Sequence, residues 1–89
     1  MQIRQRITDV MNAAIADIFM LDVDHISSHP EFDFRADLHA SSIQYFPLIA
    51  RIEDEFDIVI DSYAFQKRAH TIEDAISLVT KQFIEQKEN

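Results

Sequence analysis

The sequence has no cysteine, no glycine and no tryptophan among its 89 residues, and it has only two prolines. Without cysteine, the chain forms no disulfide, binds no metal through a thiolate and has no cysteine nucleophile. The absence of glycine excludes the phosphate-binding loop and the dinucleotide-binding fingerprint, because both need glycine where the backbone approaches a phosphate. Most nucleotide-binding functions of a small domain are therefore excluded.

Basic residues are also scarce: 8 lysines and arginines stand against 16 aspartates and glutamates, which gives a net charge of −8. Nucleic acid and anionic membrane surfaces repel an acidic protein, so we expect partner proteins with basic patches instead. The apolar runs are far shorter than the about 20 residues that a membrane span requires. The first ten residues lack the apolar segment of a signal peptide. We expect a cytoplasmic, monomeric protein.

The hydrophobic fraction of 47% is high enough for a folded core, and the length suits one domain over residues 1–89. Apolar residues at steps of three and four predict amphipathic helices over residues 3–18, 43–56 and 72–83. Between the first two, residues 21–41 lose this period and are rich in turn-forming side chains, which predicts a long loop. Because this loop carries several apolar residues, we expect it to pack onto the helices.

Local signals refine the second half of the chain. Either Ser41 or Ser42 is expected to cap the second long helix, and Pro47 inside that helix predicts a bend or an irregular start. Residues 58–60 are a short β-branched run without an obvious partner strand, which favours an extended connection. Residues 63–65 predict one helical turn.

The last helix is expected to start at a capping box formed by Thr71 and Asp74, and residues 86–89 are expected to fray. These elements predict an all-α fold, a small four-helix bundle. It has three main helices, one short helix and a long loop between the first and second.

Three arrangements of polar residues suggest chemistry, and each is weak. His25 and His29 have the i, i+4 spacing of helical metal ligands, but they lie in the predicted loop beside Pro30. Ser42 and His39 are close in sequence, yet no oxyanion-binding group or orienting partner accompanies them.

The acidic group near residue 55 lacks the alternating ligands and turn glycine of a calcium-binding EF-hand. We therefore predict no metal site, no catalytic residues and a protein that is not an enzyme.

Two stretches carry a more specific signal. Residues 37–43 read Asp-Leu-His-Ala-Ser-Ser-Ile, and residues 52–58 read Ile-Glu-Asp-Glu-Phe-Asp-Ile. They resemble the acyl carrier protein family, whose second helix starts in Asp-Leu-Gly-Ala-Asp-Ser-Leu and ends in a run similar to Leu-Glu-Glu-Glu-Phe-Asp-Ile. Phe56 follows Ser42 at the family's spacing, and the resemblance covers nearly the whole chain. The matching positions are Asp37, Leu38, Ala40 and Ser42.

The resemblance implies a function. In this family a separate phosphopantetheinyl transferase attaches 4′-phosphopantetheine to the serine that Ser42 matches, and the arm carries an acyl group as a thioester. The partners would be acyl-transferring, ligase or synthase enzymes of fatty-acid, lipid or polyketide-type biosynthesis. Four residues near the serine or at the acidic end of its helix are expected to recognise them: Ile43, Phe46, Glu53 and Asp54.

The sequence departs from the family pattern around the serine. Ser41 replaces an aspartate that assists the transferase and its magnesium ion, His39 replaces a glycine, and Gln44 and Pro47 stand where acids are frequent. An alternative is therefore an unmodified, carrier-like helical module for protein interaction, in which Ser42 only caps a helix.

Overall fold

The structure is a computed structural model that describes residues 2–87; Met1, Glu88 and Asn89 lie outside the described residues. The chain forms five helices: α1 (Ile3–Phe19), α2 (Val23–Ser27), α3 (Ser42–Phe56), α4 (Ser62–Arg68) and α5 (Ile72–Lys87). No strand occurs over residues 2–87, where the single β-type pairing is an isolated bridge between Asp33 and Thr71. The prediction of a small all-α bundle is confirmed.

The predicted amphipathic stripes form the core. The apolar faces of α1, α3 and α5 meet, and α1 contacts both of the other long helices as well as α2. Ile7, Met11, Ile52 and Ile72 are fully buried. None of the helices over residues 2–87 is long and apolar enough to cross a membrane.

The predicted loop over residues 21–41 contains a helix that the apolar spacing missed. Helix α2 has five residues, too few for a periodic pattern to appear. The Asp22 carboxylate caps it by accepting a hydrogen bond of 2.9 Å from the Asp24 amide. Ile26 anchors it, since this side chain is fully buried in the core.

The rest of that segment, residues 28–41, packs against the α4–α5 connection, as expected. The Phe34 amide donates to the His70 carbonyl at 2.9 Å, and the Ile72 amide donates to the Phe32 carbonyl at 3.0 Å. The Glu73 amide reaches the Pro30 carbonyl at 2.9 Å. These backbone bonds across the chain fix the loop that leads into α3.

The connection from α3 to α4 is extended over residues 58–60, as predicted, and the short helix that follows is longer than the single turn expected. Gln86 satisfies the exposed Val59 backbone: its amide nitrogen donates to the Val59 carbonyl, and its oxygen accepts from the Val59 amide. The Asp61 carboxylate caps α4 through the Ala64 amide, which extends the helix to seven residues.

Two further local predictions can be compared with the structure. The capping box at the start of α5 is present, with Thr71 and Asp74 each accepting from the other's amide. Helix α3 is continuous through Pro47, and its first turn contains a 3₁₀-type hydrogen bond from the Gln44 amide to the Ser41 carbonyl at 3.1 Å. Pro47 is exposed, which leaves the unpaired Ile43 carbonyl within reach of water. Of the tail predicted to fray, Gln86 and Lys87 belong to α5, and the last two residues lie outside the described part.

Candidate functional site

Ser42 is the first residue of α3, and Ser41 occupies the capping position before it. The Ser41 amide donates to Gln44 Oε1 at 2.9 Å, which satisfies the capping residue's own N–H. The Ser42 side chain is exposed and makes no hydrogen bond to any residue in the described range. Of the two serines considered as the cap, the structure therefore selects Ser41, and it leaves the Ser42 hydroxyl available.

The surroundings of Ser42 favour a negatively charged substituent. In the first turn the Gln44 amide donates to the Ser41 carbonyl at 3.1 Å, whereas the amides of Ser42 and Ile43 have no acceptor four residues back in the helix. The helix dipole places partial positive charge at this end. No acidic residue lies in the first turn of α3 to oppose that charge. A phosphodiester on the Ser42 hydroxyl would thus lie near backbone N–H donors. The start of α3 therefore suits the phosphate of a phosphopantetheine group.

The loop before Ser42 is held by paired aspartates. Asp33 Oδ1 accepts from the Arg35 amide at 2.8 Å and from the Ala36 amide at 2.9 Å, while the Asp33 amide donates to Asp37 Oδ2 at 2.7 Å. The bonds from the Ala36 and Arg35 amides lower the pKa of Asp33. Asp37, which matches the family motif, therefore stabilises this loop.

His39 adopts a left-handed backbone conformation with φ of 55°. This is the position at which the resembled family carries glycine, and a positive φ is the conformation that glycine adopts without strain. The histidine therefore keeps the family's backbone turn at an energetic cost. Its ring makes no hydrogen bond to Ser42 within residues 2–87, so the structure does not form the Ser42–His39 pair considered above.

A buried aromatic cluster lies beneath the start of α3. The Phe34 ring packs 5.6 Å from Tyr45 and 6.5 Å from Phe65, which joins the loop to α3 and α4. Burial raises the pKa of Tyr45, although the nearby Arg35 opposes this shift. The sequence analysis did not predict this cluster. The signal that could have indicated it is an apolar phenylalanine inside a polar loop.

The predicted recognition residues have different environments. Ile43 is 77% exposed and Phe46 57% exposed, which is unusual for large apolar side chains near each other on a small protein. Asp54 is exposed as well. Glu53 is half-buried, and its Oε2 accepts from the Ile60 amide at 2.7 Å, so it supports the α3–α4 connection.

The histidines considered as metal ligands pack against an aromatic ring. The rings of His25 and His29 lie 5.1 Å apart, and His29 stacks on Phe32 at 4.6 Å. His29 Nδ1 also lies 2.8 Å from Glu31 Oε2, a hydrogen bond that lowers the pKa of Glu31. Over residues 2–87, no three or more potential ligands are grouped to hold a metal ion.

Two grooves mark the surface. The larger, of about 490 Å³, lies between α1 and α3 and has Asp54 on its rim. The smaller, of about 290 Å³, lies between the loop and α4. The smaller groove is lined by Arg35, Tyr63, Gln66 and Lys67.

Comparison with known proteins is consistent with this geometry. The chain matches no family model. It is 35% identical over 77 residues to an acyl carrier protein from Picosynechococcus sp. (strain PCC 7002), and the match covers 86% of this chain and 91% of that protein. Because the similarity extends over most of both chains, the chain belongs to the acyl carrier protein family.

Proposed function

We propose that this protein holds an acyl group as a thioester on a 4′-phosphopantetheine arm attached to Ser42. It would present that group to enzymes of fatty-acid, lipid or polyketide-type biosynthesis. The observation that carries the proposal is the position of Ser42 at the first residue of α3, exposed and without a hydrogen-bond partner over residues 2–87, while Ser41 caps the helix.

The bound arm would supply the thiol that the chain lacks, since the sequence has no cysteine. The chain itself offers the Ser42 hydroxyl as the attachment atom and orients a phosphate through the first-turn amides of α3. No base among residues 2–87 hydrogen-bonds to this hydroxyl, so a separate transferase must activate it. The protein's role is then to carry and present a group, as is general for the family.

Partner enzymes would meet the face that carries Ser42. Ile43 and Phe46 supply exposed apolar area beside the attachment point, and Asp54 supplies charge at the far end of α3. The net charge of −8 would steer enzymes with basic patches toward the protein. We assign Glu53 to structural support of the α3–α4 connection, because its carboxylate already accepts the Ile60 amide.

The decisive experiment is the intact mass of the protein after co-expression with a broad-specificity phosphopantetheinyl transferase. We expect the mass of one phosphopantetheine group to be added, and Ser42→Ala to abolish the addition. Ser41→Ala is the matched control, since it keeps the backbone donor to Gln44 and leaves Ser42 in place. An unmodified wild-type mass would favour the unmodified interaction module, and modification at Ser41 would contradict the assignment of Ser42.

A further inference from the structure

The smaller surface groove combines two cations with an aromatic wall. Arg35 approaches from the loop before α3, and Tyr63, Gln66 and Lys67 approach from α4, around a space of about 290 Å³. The Tyr63 side chain is 73% exposed, so its ring is available to a ligand. This groove lies outside the contacts that hold the core together.

Neither cation forms an ion pair with a carboxylate over residues 2–87, although the Arg35 side chain interacts electrostatically with Asp33 and with Tyr45. The lysine and arginine members of the ion pairs over residues 2–87 are Arg4, Arg51 and Lys87. The Arg35 guanidinium instead lies 5.9 Å from the Tyr45 ring centre, and Lys67 Nζ lies 5.8 Å from that of Tyr63. In a chain with twice as many acidic as basic residues, two cations outside any ion pair on one groove favour an anion there.

Arg35 links the groove to the first turns of α3. Tyr45, which Arg35 covers, follows Ser42 by one helical turn. The Ala40 amide donates to the Phe34 carbonyl at 2.8 Å, which ties the residue before Arg35 to the segment entering α3. A flexible arm attached to Ser42 would therefore start one helical turn from the Tyr45 side chain that Arg35 covers.

We propose that the groove binds the carboxylate end of a carboxyl-terminated acyl group carried by the protein. This inference rests on the proposed attachment at Ser42 and names the chemical class of the cargo. Arg35 would bind the two carboxylate oxygens with its planar guanidinium, and Lys67 would add a second charge. The exposed Tyr63 ring would pack against the methylene chain, and the Gln66 amide would donate to a carboxylate oxygen.

The test compares two thioesters that differ in one carboxylate. Adipyl and hexanoyl phosphopantetheine are loaded onto the protein from their coenzyme A esters by a broad-specificity transferase, and intact mass confirms loading. Hydroxylamine then cleaves each thioester on the protein, and the rate is divided by the rate for the same acyl group on free pantetheine. This normalisation removes differences in the intrinsic reactivity of the two thioesters. We expect docking to protect the adipyl group about threefold relative to the hexanoyl group, the effect of a partly exposed ion pair.

Charge variants identify the residues responsible. On the double variant Arg35→Gln/Lys67→Gln, hydroxylamine should cleave both thioesters at the same normalised rate. Arg68→Gln/Lys81→Gln removes the same two charges outside the groove lining and should keep the protection. Equal protection of both thioesters in the wild type, or loss of protection in both double variants, would overturn the inference. Failure to load either thioester would overturn the proposed function and the inference with it.

Discussion

At the scale of single residues, the absence of glycine leaves three non-glycine residues with left-handed backbone conformations in the described part of the chain. Met20 and Asp57 end α1 and α3 with φ of 58° and 52°, and His39 precedes the Ser42 helix with φ of 55°. A side chain with a Cβ is strained there by about 1–2 kcal/mol. At the ends of α1 and α3 this conformation is the left-handed residue that commonly terminates a helix.

The His39 strain yields a prediction about stability. His39→Gly should raise the free energy of unfolding by about 0.5–1 kcal/mol, because the relief of strain exceeds the added entropy of the unfolded chain. Urea unfolding followed by circular dichroism measures the change. Ala36→Gly is the control, because Ala36 does not have a positive φ. This variant should have a lower free energy of unfolding than the wild type. Equal loss of stability in both variants would show that His39 is not strained.

The residue before the attachment site yields a second prediction. Ser41→Asp restores the acid found in the family and keeps a good capping side chain, so the helix start is preserved. We expect a standard phosphopantetheinyl transferase to modify this variant several-fold faster, measured by intact mass over time. Ser41→Asn has the same shape without the charge and should modify at the wild-type rate. An unchanged rate for Ser41→Asp would show that Ser41 does not limit modification.

At the scale of the elements, the short helices and connections depend on single polar contacts. One Asp22 carboxylate caps the five-residue helix α2, and Gln86 from α5 satisfies the backbone of the extended connection after α3. Glu53 does the same for Ile60 from within α3. Of these three contacts, the one to the Ile60 amide is partly buried, where an amide without an acceptor is costly; the other two are exposed.

Glu53 and its neighbour allow this to be tested. Glu53→Ala should lower the free energy of unfolding by about 1–2 kcal/mol, because the Ile60 amide loses its acceptor in a partly buried site. Asp54→Ala removes the adjacent, exposed acid and should change stability by less than about 0.5 kcal/mol. Chemical unfolding of both variants gives the comparison. Similar values for the two would mean that the Glu53–Ile60 bond contributes nothing.

At the scale of the whole molecule, charge opposes the compact state. The net charge of −8 is spread over 89 residues. The three ion pairs that lysine and arginine form over residues 2–87 are all at least partly exposed, so they offset little of the repulsion. Arg35 and Lys67, which belong to no ion pair over residues 2–87, line the smaller groove.

This imbalance predicts a response to salt. Raising sodium chloride from about 10 mM to about 150 mM shortens the screening length from about 30 Å to about 8 Å, which weakens the repulsion among the acidic groups. We expect the melting temperature to rise, measured by circular dichroism at pH 7. A variant that carries Asp54→Asn and Glu55→Gln has a less negative net charge, so its melting temperature should rise less with salt. A fall in melting temperature would show that the ion pairs outweigh the repulsion.

The sequence by itself determined the parts that depend on local patterns. Apolar spacing located α1, α3 and α5 because each is long enough for a helical period, and the Thr71–Asp74 pair marked a helix start because capping acts over three residues. The motif around Ser42 and the acidic end of its helix indicated the family, because those residue types recur at one spacing. Their correct prediction required no knowledge of distant contacts.

The tertiary structure alone decided what depends on residues far apart in the chain. Helix α2 exists because the core buries Ile26, and the groove forms because packing brings Arg35 of the loop beside Lys67 of α4. Which serine caps α3 was also left open by the sequence, since two adjacent serines both suit that role. In the structure the Ser41 amide donates to Gln44 Oε1, so Ser41 is the cap and Ser42 is the exposed first residue of α3.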